Sequence, residues 1–242
     1  MRTYLASILV FAACGGGGSP AGGVDAPGTT RMDAAVVVPT TLKLSGSTAE
    51  ITASGRTPVA AAVSLFSNTS TTPVATGNSA ADGTFSLTIT TNGTAVDGYL
   101  LAKKSGDLDT YLYPPAPLSA DFNMATVLLL SSTNFGLAQT LSGATQNAGE
   151  GFVGVLVADA SGAAVAGATV TTSPPGMVRY NGSNGLPAKP AAAMSTSTDG
   201  VAYVFGLPAG SVSVGATMGG TTFHTHVVNA RADVVTLTLV TP

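Results

Sequence analysis

The stretch Ala81-Asp82-Gly83-Thr84-Phe85-Ser86-Leu87-Thr88-Ile89 decides the fold of this chain. Asp-Gly is a tight-turn signal, because the Asp side chain caps nearby backbone and Gly accepts a positive φ. The residues after the turn alternate between apolar and polar side chains, which is typical of a half-buried β-strand. The second half repeats this turn and strand in Thr198-Asp199-Gly200-Val201-Ala202-Tyr203-Val204-Phe205. The repetition predicts a tandem of one diverged β-module.

Short strand signals, separated by Gly, Asp and Asn turns, recur in both halves of the chain. They begin at Thr41 in the first half and start again at Phe152 in the second. About seven short strands with such turns are typical of a β-sandwich rather than a parallel sheet. We therefore predict an all-β fold of two tandem Ig-like β-sandwiches, 41–131 and 151–242.

A different pattern lies between the two halves. Phe135, Ala138 and Leu141 share one face at helical spacing, and Gly143 fits the C′ position that ends a helix. Ser132 or Thr133 can cap the start of this helix. We expect one short helix over 133–141, within a connector that covers residues 132–150.

Composition excludes several classes of function. Charged residues make up 9% of the chain and the formal net charge is −3, so the sequence has no basic footprint for nucleic acid. Cys14 is the only cysteine, so no intramolecular disulfide can form. After the N-terminus, no apolar run is long enough to predict a membrane-spanning helix.

The N-terminus predicts export from the cytoplasm. Met1-Arg2 supplies a basic start, and an apolar run with small residues at its end precedes Cys14. The run is about half as long as a spanning helix requires, so residues 1–13 are predicted to be a secretory signal peptide. A secreted protein with an incidental cysteine in its signal peptide is one interpretation.

The other interpretation is a lipid anchor. A cysteine directly after Ala12-Ala13 resembles the lipobox of bacterial lipoproteins. The resemblance implies acylation of Cys14 and attachment to the bacterial cell envelope. Gly15, in place of the aspartate that retains many such proteins at the inner membrane, implies the outer membrane. Residues 14–40 are rich in Gly, Ala, Pro and Asp, and predict a disordered, lipidated linker that reaches roughly 25–30 Å.

The second half carries a resemblance of its own. Five segments follow one another in a fixed order. They are a strand from Gly154, the turn Asp159-Ala160-Ser161-Gly162, the strand Val165-Ala166-Gly167-Ala168-Thr169-Val170, the turn Thr198-Asp199-Gly200 and the segment Leu207-Pro208-Ala209-Gly210. This order resembles the carboxypeptidase regulatory-like domain. The resemblance implies a prealbumin-like (transthyretin-like) sandwich without catalytic residues over 151–242. Residues 41–130 match it in fewer places, and we expect the same fold there. We expect Gly167 to permit a close backbone approach in a packed strand.

The sequence offers little material for catalysis. It has two histidines, His224 and His226, and none of the common nucleophile, zinc or phosphate-loop motifs. We therefore expect no enzymatic activity and no cofactor. Two residues apart on a strand, the two imidazoles could bind one metal together with Asp233. The interpretation that we favour is two partly exposed strand histidines without a metal.

Two segments are candidates for binding. Asp107, Asp109, Tyr111 and Tyr113 alternate along one segment, so they are expected to share a face. Carboxylates beside aromatic rings suit the hydroxyls and C–H faces of a sugar, and the alternative is a solvated edge strand. The insertion 173–195 carries Arg179, Tyr180 and Asn181 (residue types that include frequent interface anchors), and the alternative is a passive loop.

The sequence therefore indicates a membrane-anchored cell-envelope lipoprotein with a structural or binding role. Its expected partners are the membrane, through the lipid, and envelope proteins or polysaccharide; nucleic acid is excluded. A carbohydrate-binding module that uses Tyr111 and Tyr113 is the alternative.

Overall fold

The computed structural model describes residues 37–52 and 55–242, which are mostly β-strand. Cys14, the predicted signal peptide 1–13 and the linker up to residue 36 lie outside the described residues. Among those described, no helix is long and apolar enough to cross a membrane. The elements are β1 (Thr41–Thr52), β2 (Gly55–Pro58), β3 (Ala62–Ser67), β4 (Pro73–Asn78), β5 (Thr84–Thr90), β6 (Gly98–Lys103), β7 (Asp107–Leu108), β8 (Thr110–Tyr113), β9 (Phe122–Ser131), α1 (Ser132–Ser142), β10 (Glu150–Val157), β11 (Thr169–Ser173), β12 (Met177–Asn181), β13 (Pro187–Ala188), β14 (Val201–Pro208), β15 (Gly210–Met218), β16 (Thr221–Thr222), β17 (His226–Ala230) and β18 (Val235–Val240).

One nine-stranded sheet runs through both halves of the chain, in the order β13-β12-β14-β10-β18-β8-β6-β3-β4. The halves meet where β18 pairs in parallel with β8, residues 235–238 against 110–113. On its other edge β18 pairs in parallel with β10. The last strand of the chain is therefore the strand that joins the two halves.

A second sheet covers one face of the nine-stranded sheet. On one edge, β1 pairs with β5 along its first part and with β2 along its last part. On its other edge β1 pairs with β9, and β9 in turn pairs with β7. The core under this sheet contains residues of both halves, for example Leu44 and Leu100 of the first with Phe205 and Leu237 of the second. The two halves thus share a hydrophobic core as well as a sheet.

A third sheet covers the other face over the second half. Its central strand is β15, which pairs with β11, β16 and β17. Strand β10 lies between two cores as a result. Phe152 and Leu156 belong to the core under the second sheet, whereas Val153, Val155 and Val157 belong to the core under the third. This explains why β10 has a continuous apolar run instead of alternation.

The prediction of a mostly β fold with layered sheets is confirmed, whereas the division at 41–131, 132–150 and 151–242 stays a prediction. The two repeated turns are present: Gly83 has a φ of 81° and Gly200 a φ of 69°. Asp82 Oδ1 accepts from Thr84 N at 2.9 Å, and Asp199 Oδ1 from Val201 N at 3.1 Å. The expectation for Gly167 is wrong, because no atom lies within 4 Å of a Cβ built there; its φ of 82° is what requires glycine.

The short helix is α1, and its start differs by one residue from the predicted caps. Ser131 is the N-cap, since its backbone is extended and its Oγ accepts from Asn134 N at 3.3 Å. Gly143 ends the helix in the left-handed conformation, as expected. Phe135 packs edge-on against Phe152, with ring centroids 5.1 Å apart. Leu141 is exposed, so only part of the predicted helical face packs on the core.

Candidate functional site

An aromatic surface lies on the nine-stranded sheet, on the side that carries the third sheet in the second half. It is formed by Phe66 of β3, Tyr99 and Leu101 of β6, and Tyr111 of β8, and we call these four residues the aromatic face. All four are half-buried. Their neighbours along each strand, such as Leu65, Leu100 and Leu112, point into the opposite core. The strand period therefore places one row of each strand in the core and the other on this surface.

The rings of the aromatic face are in direct contact. Phe66 and Tyr99 are stacked with centroids 5.4 Å apart and planes 15° apart. Tyr99 also lies 5.5 Å from Tyr111 and 5.3 Å from the buried Tyr113. Gly98 makes the stacking possible, since a Cβ at this position would lie 1.8 Å from the Phe66 carbonyl oxygen. The close approach of β3 and β6 brings the two rings together.

Arg231, from the turn between β17 and β18, lies against these tyrosines. Its Cζ is 4.1 Å from the Tyr111 centroid and 4.5 Å from the Tyr99 centroid, which are cation–π distances. Its Nη1 donates to Tyr113 Oη at 2.7 Å and to the Asn229 carbonyl at 3.2 Å. Burial raises the pKa of Tyr113, and the hydrogen bond from Arg231 opposes this shift. The arginine is thus held in place by residues of both halves.

The two predicted acids of this segment are placed differently from expectation. The chain changes sheets here: β7 pairs with β9 in the second sheet, whereas β8 pairs within the nine-stranded sheet. Asp107 is accordingly turned to Lys104 Nζ, at 3.0 Å. Asp109 stays beside the aromatic face and forms an ion pair of 2.5 Å with Lys103, whose pKa this contact raises. The expected row of two carboxylates and two tyrosines on one face does not form.

The insertion 173–195 is a hairpin, since β12 and β13 extend the nine-stranded sheet. Arg179 Nε donates to the Ser142 carbonyl at the end of α1, at 3.0 Å. Tyr180 is buried, and its hydroxyl accepts from Val170 N at 2.9 Å. Asn181 donates to the buried Asp199 at 2.6 Å. All three predicted binding residues therefore make internal contacts, and their role in partner binding stays a prediction.

The two histidines are not brought together with a third ligand. His224 is exposed, and His226 Nδ1 lies 2.6 Å from Thr238 Oγ1. The Asp233 carboxylate accepts from Gly149 N at 3.0 Å instead. Burial lowers the pKa of His226, and Asp97 acts in the opposite direction. Within 37–52 and 55–242, no group of three or more His, Cys, Asp or Glu side chains is arranged to hold a metal ion.

Sequence reasoning found Tyr111 and Tyr113 but missed Phe66, Tyr99 and Arg231. The alternation of Tyr99 with Leu101 was a usable signal, because Leu100 and Ala102 form the buried row of the same strand. Nothing in the local sequence marks Arg231, which reaches the tyrosines only through the parallel pairing of β18 with β8.

Comparisons with known proteins leave the family open. No protein-family model matches the chain, and no curated protein matches it. The shaft pilin SpaA of Lactobacillus rhamnosus GG is 11% identical, with 84% of this chain and 98% of that chain covered at a TM-score of 0.26. The minor pilin GBS52 of Streptococcus agalactiae is 13% identical, with 83% and 95% covered at a TM-score of 0.26. With identities and TM-scores this low, neither likeness supports a statement about function.

Proposed function

We propose that this chain is a cell-envelope lipoprotein with a structural or binding role, and that its binding surface is the aromatic face, which takes polysaccharide. The observation that carries the proposal is the half-buried row of Phe66, Tyr99 and Tyr111 around an arginine. Aromatic rings offer apolar surface to the C–H faces of sugars, and an arginine beside them donates to hydroxyl oxygens. The surface is one face of a β-sheet, so it suits an extended chain better than a small enclosed ligand.

The proposal assigns no catalysis and no cofactor to the chain. Its support is the shortage of acid–base groups in the sequence, which has two histidines and one cysteine in 242 residues. A second binding mode, to an envelope protein through 173–195, has less support, since Arg179, Tyr180 and Asn181 are engaged internally.

Polysaccharide binding is tested with the full chain in detergent, against a panel of immobilised neutral and acidic polysaccharides. We expect retention on at least one polymer, and at least a fivefold loss for Tyr111→Ala, about 1 kcal/mol or more. Leu137→Ala is the matched control, because it removes an exposed apolar side chain on α1. Equal binding by wild type and Tyr111→Ala, or no binding to any polymer, would contradict the proposal.

The anchor is a separate part of the proposal and rests on the sequence around Cys14, with the outer membrane as the expected location. The full chain is expressed in a bacterial host and partitioned between detergent and aqueous phases. Wild type is expected in the detergent phase and Cys14→Ser in the aqueous phase, because acylation requires the thiol. Ser19→Ala is the control within the linker. Identical partitioning of wild type and Cys14→Ser would refute acylation.

A further inference from the structure

The Arg231 guanidinium uses only part of its hydrogen-bonding capacity. Both Nη1 hydrogens are accounted for, by the Tyr113 hydroxyl and the Asn229 carbonyl. Within the described part of the chain, no acceptor faces Nε or Nη2, and no carboxylate forms an ion pair with this residue. The three N–H donors of Nε and Nη2 are therefore available to a ligand, and two of them, one on each nitrogen, lie along one edge of the guanidinium.

The available edge has the geometry of a carboxylate receptor. Nε and Nη2 form a planar fork that matches the two oxygens of a carboxylate, which a Lys ammonium cannot do. The fork is preorganised, since Tyr111 and Tyr99 pack against the guanidinium and the Tyr113 hydroxyl accepts a hydrogen bond from Nη1. Preorganisation lowers the ordering cost of binding.

The other charges around the aromatic face leave Arg231 without an ion-pair partner among the residues described. Lys103 and Asp109 border the face, but they neutralise each other in an ion pair of 2.5 Å. Asp97 adjoins β6, and its charge acts on His226. Arg231 is thus a cation of this surface that forms no ion pair among the residues described. Neither Asp97 nor Asp233, two residues further along the same turn, pairs with it. Only 9% of the residues of the chain are charged, and this cation lies on an aromatic surface. Partial burial of the guanidinium there costs solvation free energy, which a bound anion offsets.

We infer that the polysaccharide bound by the aromatic face carries carboxylate groups, as a uronic-acid polymer does. One carboxylate of the polymer pairs with the Nε–Nη2 edge of Arg231, and the sugar rings lie along Phe66 and Leu101. The inference rests on the proposed function and specifies its ligand class. The unpaired fork carries it, because a neutral glycan would leave the charge uncompensated.

The test uses polygalacturonate and its fully methyl-esterified form, which have the same backbone and differ in the carboxylate. We expect the full chain to bind the acid form at least about tenfold more tightly, the effect of one charge-assisted pair. Arg231→Gln is expected to reduce binding of the acid form to the level of the ester. Lys43→Gln is the matched control, since it removes one positive charge from an exposed position on β1; its affinity should stay within about twofold of wild type.

The outcomes separate the inference from the proposed function. Equal binding of acid and ester, with both lost in Tyr111→Ala, overturns the inference and leaves polysaccharide binding intact. Binding of the acid form that is unchanged in Arg231→Gln also overturns the inference. Absence of binding to either form and to the whole panel overturns both. Arg231→Lys guards against unfolding of the Gln variant, because it keeps the cation on the tyrosines; without the fork, it too should lose about tenfold.

Discussion

Replacing Arg231 by Ala is expected to lower the free energy of unfolding by about 2–3 kcal/mol. The hydrogen bond to Tyr113 Oη, at 2.7 Å, involves a charged donor and is worth about 1.5–3 kcal/mol. The two ring contacts, at 4.1 and 4.5 Å, add about 0.5–1 kcal/mol each at a half-exposed position. These contributions sum to about 2.5–5 kcal/mol. Water replaces part of them around a half-buried side chain, so the expected loss lies near the lower end of that sum, about 2–3 kcal/mol.

Thermal unfolding of the full chain measures this loss. For a chain of this size, 1 kcal/mol shifts Tm by about 2–4 °C, so Arg231→Ala should lower Tm by about 5–10 °C. Arg231→Lys keeps a cation over the rings and should lose less. A Tm for Arg231→Ala within about 1 °C of wild type would show that the guanidinium does not hold the two halves together.

A double-mutant cycle identifies the partner. Tyr113→Phe removes the hydroxyl that Arg231 contacts and leaves the ring in the core. Because the two residues are coupled by this hydrogen bond, the free energy of unfolding of the double variant Arg231→Ala/Tyr113→Phe should fall by at least about 1 kcal/mol less than the sum of the two single variants. Strictly additive losses would refute the contact, even if both single variants were destabilised.

Three further predictions concern the rest of the fold. Gly98→Ala should lower Tm by more than about 10 °C, because its Cβ would lie 1.8 Å from the Phe66 carbonyl oxygen. Gly136→Ala in α1 is the control and should be neutral or stabilising, because no atom lies within 4 Å of a Cβ at that position. Similar changes in Tm for the two variants would contradict this prediction. Because burial lowers the pKa of His226 in the folded state, the unfolded state binds this proton at a higher pH than the folded state does. The free energy of unfolding should therefore decrease as pH drops below about 6.5. His226→Asn should remove that slope in a pH series of Tm values, and an unchanged slope would exclude this histidine as its source. Because both halves share a sheet and a core, calorimetry should show a single unfolding transition, and two separate transitions would disprove that coupling.

Features set by local backbone requirements could be predicted from the sequence. The turns at Asp82 and Asp199 and the helix end at Gly143 each need a positive φ within a few residues, so the residue types alone identify them. Alternation likewise placed Tyr111 on a surface row. Asp107 shows the limit of this reasoning: it precedes Tyr111 in perfect alternation, but the chain leaves one sheet for another between them, and no period reveals that change.

Features set by pairing between distant segments could not be predicted. The parallel pairing of β18 with β8 joins segments that are more than a hundred residues apart, and parallel strands have no turn that marks them in the sequence. Arg231 depends on that pairing, since it lies in the turn just before β18. In the sequence it is one of two charged residues in a short turn, with Asp233, and only the sheet brings it over three tyrosines.

The candidate site therefore exists only because the two halves are joined. The aromatic face belongs entirely to the first half, and its cation comes from the second. If each half were a separate module, the face would lack its arginine, and Arg231 would lose its contacts with the three tyrosines. Strand β18 sets the distance between the aromatic face and Arg231. A shift of its register by one residue would turn Thr236 and Thr238 to the opposite face of the sheet, and it would also displace Arg231 from the tyrosines. Binding of an anionic polysaccharide would in this way depend on the pairing of the two halves through β18, which gives a physical reason for joining them in one sheet.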